Sequence, residues 1–338
     1  MKLLFSICFL FFLLHATHVE SRRRHSDQRS FKLFVFGDSF ADNGNLKKDE
    51  LSKTTRDWYY PYGISDSDHD NQPTGRFSDG LVQSDFIAKI LGQDESPPAE
   101  RLRDKNVDLF GMNFAVGWAG VNDEHEPKLG TQIDKFRRLV RHGIIEKDLS
   151  DSVALVAISG FDYSDIPDEN TDYDNFVDFI ASVTDEIAHG VKRIQELGVS
   201  KVLVNMLHPM GCTPWYSRSN NYTKCLSEPV AEIHNKYLKH KLRSVESVLL
   251  LDLNTIFKDI IVPKTEKLFE HRHTPCCESF DESGYCGQYD EDGNPQFWTC
   301  TNPEKYFYWD EWHPTQAGWK AVMEQLEGSI KDFLEISS

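Results

Sequence analysis

Leu33-Phe34-Val35-Phe36-Gly37-Asp38-Ser39 carries four apolar residues straight into a glycine, an aspartate and a serine. An unbroken apolar run this short reads as a strand buried on both faces. Gly37 supplies the backbone freedom that a sharp exit from the strand needs. Four further runs of the same kind follow, at 109–116, Val153 to Ile158, Lys201 to Met206 and Val248 to Leu251. Amphipathic stretches separate them. Residues 81–91 place Val82, Phe86, Ile87, Ile90 and Leu91 on one helical face, with Gly92 as the stop. A longer helix runs from Phe176 through Ile180, Val183 and Ile187 to Leu197, ended by Gly198. Another is expected over about 230–246, and a last one carries Trp319, Val322, Met323, Leu326, Ile330 and Phe333. Five such strands alternating with helices predict an α/β chain with a parallel sheet covered on both faces and right-handed crossovers.

No repeat, low-complexity linker or composition break divides the sequence, so residues 31–338 read as one domain. In such sheets the site lies beyond the carboxyl ends of the strands. Three segments qualify: Gly37-Asp38-Ser39, Gly117-Trp118 and Gly160-Phe161-Asp162.

The chain has 338 residues and a net charge of −17, with 39% hydrophobic and 12% aromatic residues. That supports a sizeable core and argues against disorder. The acidic balance argues against nonspecific nucleic-acid binding and against attraction to an anionic membrane. A neutral ester or lipid substrate stays compatible with it. Lys2 and the apolar run Leu3 to Leu14 predict a secretory signal peptide over residues 1–21. A signal anchor is the alternative, but the run is short for a membrane span. Residues 22–30, beginning Arg22-Arg23-Arg24-His25, read as a flexible, solvated N-terminus. No other stretch is apolar enough to cross a bilayer.

Without Cys8 in the leader, six cysteines remain: Cys212, Cys225, Cys276, Cys277, Cys286 and Cys300. An even number in an oxidising compartment reads as three disulfides. Cys212 and Cys225 would close a short loop, and the other four would form two local bridges. Adjacent Cys276 and Cys277 are poorly placed to pair with each other. A zinc set of His271, His273, Cys276 and Cys277 is the alternative, but its spacing lacks separated ligand pairs, so no metal is expected. Asn221-Tyr222-Thr223 is an N-glycosylation acceptor inside the Cys212–Cys225 loop. Asp66, Asp68 and Asp70 imitate a calcium loop, but Asn71 and Phe77 occupy the positions of its turn glycine and last carboxylate.

Ser39 stands after the first strand, and Asp310-Glu311-Trp312-His313 stands near the C-terminus. An aspartate three residues before a histidine can fold back to hold the imidazole Nδ1 proton. The other ring nitrogen is then free to take the serine proton. A serine hydroxyl needs that base to attack an ester carbonyl. The nucleophile elbow Gly-x-Ser-x-Gly, the His-Glu-x-x-His zinc motif and the phosphate-binding loop are absent from the sequence.

These residues, with several ordered blocks between them, resemble the plant secreted GDSL esterase/lipase family of SGNH hydrolases. The blocks are Phe34 to Asn45, Pro61-Tyr62-Gly63, Gly75 to Gly80, Asn113-Phe114-Ala115-Val116-Gly117, Pro209 to Pro214 and Phe307 to Thr315. Phe40 stands where the motif's name has leucine. The resemblance spans about residues 31–330. It implies a three-layer α/β/α, flavodoxin-like SGNH-hydrolase fold with a five-stranded parallel sheet. It also implies a triad of Ser39, Asp310 and His313 that hydrolyses carboxylic esters without a cofactor.

The same resemblance implies an oxyanion hole built from backbone N–H groups at the serine and a glycine, plus an asparagine side chain. Trp118 stands at the glycine and Phe161 at the asparagine. Phenylalanine offers no side-chain donor. Asn45, Asn113 and Asn122 are candidate replacements. A secreted serine esterase or lipase acting on a small-molecule or lipid ester is the leading expectation. A degenerate hydrolase that binds a ligand or protein, and an acyltransferase using the same triad, are the alternatives.

Overall fold

The computed structural model describes residues 31–103, 110–165, 173–227, 229–262 and 268–336. The expected signal peptide over 1–21 and N-terminal segment over 22–30 lie outside the described residues. Five strands build the main sheet: β1 (Lys32–Gly37), β2 (Gly111–Asn113), β3 (Ser152–Ala157), β4 (Lys201–Asn205) and β5 (Val248–Leu251). Their order is β2-β1-β3-β4-β5 and every pairing is parallel. That is the flavodoxin-like order, in which the chain switches direction across the sheet between β1 and β3.

The alternation of side chains sorts the apolar runs into two cores. Phe34 and Phe36 of β1, with Ala154 and Val156 of β3, face α2 (Leu129–Arg141), α3 (Tyr173–Glu196) and, after the four-residue α4 (Pro214–Ser217), α5 (Val230–Leu242). Leu33 and Val35, with Val153 and Leu155, face α1 (Gln83–Ile90), α6 (Leu253–Ile261) and α7 (Gln316–Leu334). Continuous apolar strands are therefore required, because neither face of the sheet meets water. Phe36 stacks on Phe114 at 5.3 Å and meets Phe136 of α2 edge-on at 5.5 Å.

The structure departs from the expected elements in three places. The second apolar run, expected over 109–116, is a regular strand only at Gly111–Asn113. Beyond it, Phe114 and Val116 still donate their N–H groups to Val35 and Gly37, while the Asn113 side chain captures the Ala115 N–H. Helices α2 and α6 were not anticipated. In α2 the helical spacing of Ile133, Phe136 and Val140 is interrupted by Asp134, Lys135, Arg137 and Arg138, and α6 follows β5 after a single residue. The cysteine-rich segment also forms two small ladders. One pairs β6 (His271–Pro275) with β9 (Tyr306–Tyr308), the other β7 (Cys277–Ser279) with β8 (Phe297–Thr299).

A third core of Tyr62, Phe77, Phe297 and Trp309 surrounds disulfides Cys276–Cys300 and Cys277–Cys286. Cys212 pairs with Cys225. With both thiols bridged, Cys276 and Cys277 cannot serve as the thiolates of a zinc set. Asn221 is exposed at the left-handed end of a turn within the Cys212–Cys225 loop.

The strand-to-loop exit at Gly37 depends on that residue having no side chain. Gly37 has φ of 143°, and a Cβ there would lie 2.1 Å from the Ala157 carbonyl oxygen. Its N–H and C=O are both bound by the Gln132 side chain of α2, each at 2.8 Å. Gly37→Ala is expected to cost about 3 kcal/mol of unfolding free energy. The urea midpoint would fall well below that of the wild type, and an unchanged midpoint would contradict the close approach.

Candidate active site

At the switch point between β1 and β3, the turn after β1 meets residues 310–313, far along the sequence. Asp38 sets the first turn: its carboxylate accepts from Phe40 N–H at 3.1 Å and from Ser159 N–H, just past β3, at 2.5 Å. Burial pushes the Asp38 carboxyl up to about 6, against the lowering effect of those N–H groups. Ser39 is thereby held over the sheet's carboxyl edge.

His313 arrives from the far end of the sequence. Asp310 follows β9 and folds its own loop, because Oδ1 accepts from Trp312 N–H at 2.9 Å and His313 N–H at 2.8 Å. Thr315 then caps α7 by accepting from Gly318 N–H. With both sides of His313 tied, its Nδ1 lies 2.8 Å from Asp310 Oδ1 and its Nε2 lies 2.8 Å from Ser39 Oγ. The three sequence-selected residues thus form one hydrogen-bonded chain. Asp310 is wholly buried, His313 is 4% exposed and Ser39 is 9% exposed. Phe77 lies against the imidazole at 4.9 Å and limits its tilt.

Two residues that sequence reasoning did not single out stand behind Asp310. The fully buried Arg56 donates to Asp310 Oδ2 from Nη2 at 3.1 Å, and Tyr62 OH donates to the same oxygen at 2.8 Å. Arg56 Nη1 also lies 2.8 Å from Glu311 Oε1. Burial pushes the Asp310 carboxyl up, but the charges of His313 and Arg56 outweigh it and hold the group well below the ordinary carboxylate range. Burial lowers the Arg56 pKa, but Glu311, Tyr62 and Asp310 outweigh it, so the guanidinium stays charged.

Trp118 adopts φ of 68°, a left-handed conformation that a bulky residue rarely takes. Its side chain is held by several contacts while also lining the cavity at Ser39. The indole N–H donates to Thr54 O at 2.7 Å, Phe77 and Phe161 meet the ring edge-on at 5.7 and 5.0 Å, and Arg56 lies 5.6 Å from its centroid. Asp42 holds the preceding peptide by accepting from Gly117 N–H at 2.7 Å. Among the described residues, neither the Ser39 N–H nor the Trp118 N–H has a protein acceptor.

Phe161 sits between Trp118 and His125, whose ring is 4.8 Å away. The candidate replacement amides are committed elsewhere or off the cavity. Asn45 Nδ2 donates to Asn113 O and Ala115 O, and Asn113 Nδ2 donates to Ala41 O and Ser96 Oγ. Asn122 is not among the residues lining the cavity at Ser39. Among the described residues, no asparagine lines the cavity at Ser39.

That cavity has a volume of about 500 Å³ and contains Ser39, His313, Phe40, Trp118, Phe161 and His208 in its lining. His208 packs between Phe40 at 5.1 Å and Phe257 at 5.6 Å. Burial, and to a lesser degree His313, pushes its pKa down to about 3, so it is neutral near pH 7. Among the described residues no group of three or more His, Cys, Asp or Glu is disposed to hold a metal ion. No described helix is long and apolar enough to cross a membrane.

Residues 33–326 match the family model described as GDSL-like Lipase/Acylhydrolase. Two GDSL esterase/lipases of Arabidopsis thaliana are 36% and 35% identical to the chain over 321 and 324 residues. The alignments cover 89% and 90% of this chain and 87% and 89% of those proteins. A solved member of the lipolytic protein G-D-S-L family from Veillonella parvula superposes with a TM-score of 0.40 at 10% identity, over 88% of this chain and 96% of that one.

Removing the Arg56 charge leaves Asp310 and Glu311 without their buried cation. Arg56→Met is expected to lose about 3–5 kcal/mol of stability near pH 7. Asp310 is depressed in the folded state, so its stabilisation is present above the unfolded carboxyl pKa of about 4 and fades as pH falls below it. The gap between wild type and variant in urea unfolding should therefore narrow below about pH 4. A gap that stays constant from pH 7 to pH 3 would contradict this pairing.

Proposed function

We propose, from the premise that the chain belongs to the GDSL-like lipase/acylhydrolase family, that this carboxylic ester hydrolase works through Ser39, His313 and Asp310. The observation that carries the reading is the unbroken chain from Asp310 through His313 to Ser39 Oγ, with distances of 2.8 Å at both links.

In the first step Ser39 Oγ attacks the ester carbonyl carbon while His313 Nε2 takes its proton. Asp310, ionised and clamped by Arg56 and Tyr62, accepts from Nδ1 and stabilises the imidazolium. The tetrahedral oxyanion forms beside the backbone N–H groups of Ser39 and Trp118, neither of which has a protein acceptor among the described residues. His313 then protonates the departing alcohol. Water, deprotonated by the same imidazole, releases the acid from acyl-Ser39 and restores the hydroxyl. The left-handed backbone at Trp118 reproduces what a glycine would adopt there, so its N–H remains a donor. Phe161 supplies none, and one missing donor typically costs about 10²–10³ in kcat. The enzyme is accordingly a slow esterase with two donors where the family resemblance implies three.

The leader over 1–21, the three disulfides and the exposed Asn221 acceptor support a secreted, N-glycosylated protein. Residues 31–338 are assigned to one catalytic domain following the tail at 22–30.

Hydrolysis of p-nitrophenyl esters from acetate to palmitate by the oxidised protein tests the mechanism. Ser39→Ala should lose about 10³-fold or more in kcat. Phe161→Asn should raise kcat by about tenfold or more as the third donor is restored. Wild type no faster than a folded Ser39→Ala across the series would overturn the assignment of Ser39.

A further inference from the structure

The cavity in front of Ser39 is walled by aromatic rings from four separate parts of the chain. Trp118 and Phe161 meet edge-to-face. Trp215 and Trp312 lie nearly parallel, with centroids 5.3 Å apart and an interplanar angle of 25°, and Tyr216 meets Trp312 edge-on at 6.0 Å. All five rings line the cavity that holds Ser39 and His313. This wall is bound to the catalytic loop. Trp312 N–H is held by Asp310 Oδ1, and Trp215 N–H donates to Glu311 O at 3.0 Å. The strap at residues 53–56 ties the two groups together. Thr54 O holds the Trp118 indole, Lys53 Nζ lies 5.1 Å from the Trp215 ring centroid, and Arg56 holds Asp310.

The polar lining is equally selective. The chain carries 54 acidic residues. Yet among the described residues no Asp, Glu, Asn or Gln lines this cavity, and Lys53 has no carboxylate partner within ion-pair distance. The planar amide and carboxylate side chains that can bind a pair of neighbouring sugar hydroxyls are absent from this wall among the described residues. A straight alkyl chain gains only from burial. A flat ring gains from stacking as well. Lys53 adds attraction for an anion on the far side of the ring.

We propose that the site selects esters bearing a planar aromatic group, packed against the Trp215–Trp312 pair, with an anionic substituent reaching Lys53. The proposal rests on the reading of Ser39 as nucleophile and names the substrate class for that same site. Trp215, Trp312 and Lys53 are its specificity-determining residues.

Three methyl esters of matched intrinsic reactivity test it: 3-phenylpropanoate, its ring 4-carboxylate, and nonanoate as the straight-chain counterpart. The expected kcat/KM for phenylpropanoate exceeds that for nonanoate by about two- to tenfold. The ring carboxylate adds a further factor of about two to five that declines with added salt. Trp215→Ala should bring the phenyl-to-nonanoate ratio to about one, and Trp215→Tyr should restore it. Lys53→Gln should remove the preference for the carboxylate and leave the phenyl preference in place. Equal turnover of phenylpropanoate and nonanoate, both dependent on Ser39, overturns the aromatic selection while the esterase mechanism stands. If no ester is turned over, the mechanism fails, and binding decides the rest. Calorimetric titration of Ser39→Ala with 4-(2-carbamoylethyl)benzoate, weakened by Trp215→Ala, then supports the aromatic site, and absence of binding overturns it.

Discussion

The buried ion pair between Arg56 and Asp310 is the constraint on which the site depends. A guanidinium and a carboxylate taken out of water each carry a desolvation cost of several kcal/mol. Here the geometry repays it: Asp310 accepts from Arg56, Tyr62, His313 and two backbone N–H groups. With its lone pairs so occupied, the carboxylate stays ionised and fixed. The imidazole is then fixed in turn, with Nδ1 facing Asp310 and Nε2 facing the serine.

The same strap that presents Arg56 also anchors Trp118. Thr54 O binds the Trp118 indole, and the Arg56 guanidinium lies against that ring. A tryptophan in a left-handed conformation is unfavourable by itself, and it persists only where surrounding contacts over-determine it. The indole supplies those contacts. Phe161 is one of them: its ring meets the indole edge-on. The two substitutions form a packed pair, 5.0 Å between centroids. They give the cavity a rigid aromatic wall.

Much of the fold was legible because buried parallel strands have to be apolar on both faces. The runs at β1, β3, β4 and β5 stand out in the sequence for that reason. Helix α2 was obscured because its outer face is densely charged, and β2 was overextended because Asn113 diverts the chain with its side chain. Ser39, Asp310 and His313 were identifiable from motif spacing, and the loop of Asp310 to His313 closes through local hydrogen bonds. Arg56 had no local signal: its partner is 254 positions away. Tyr62 lay in a recognisable block, but nothing in that block says that its hydroxyl meets Asp310.

What the sequence determined by itself is the part governed by short-range rules. These are the strand periodicity, the turn at Gly37-Asp38-Ser39, the Asp-to-His spacing, an even set of cysteines and the absence of a donor at Phe161. Tertiary structure alone decided which groups meet across the sheet's carboxyl edge. Packing brought Arg56 behind Asp310, joined Cys276 to Cys300 and Cys277 to Cys286, and gathered Trp118, Trp215 and Trp312 around one serine. Side-chain type sets what a residue can do. Its partner depends on where the whole chain folds back, and no local pattern encodes that distance.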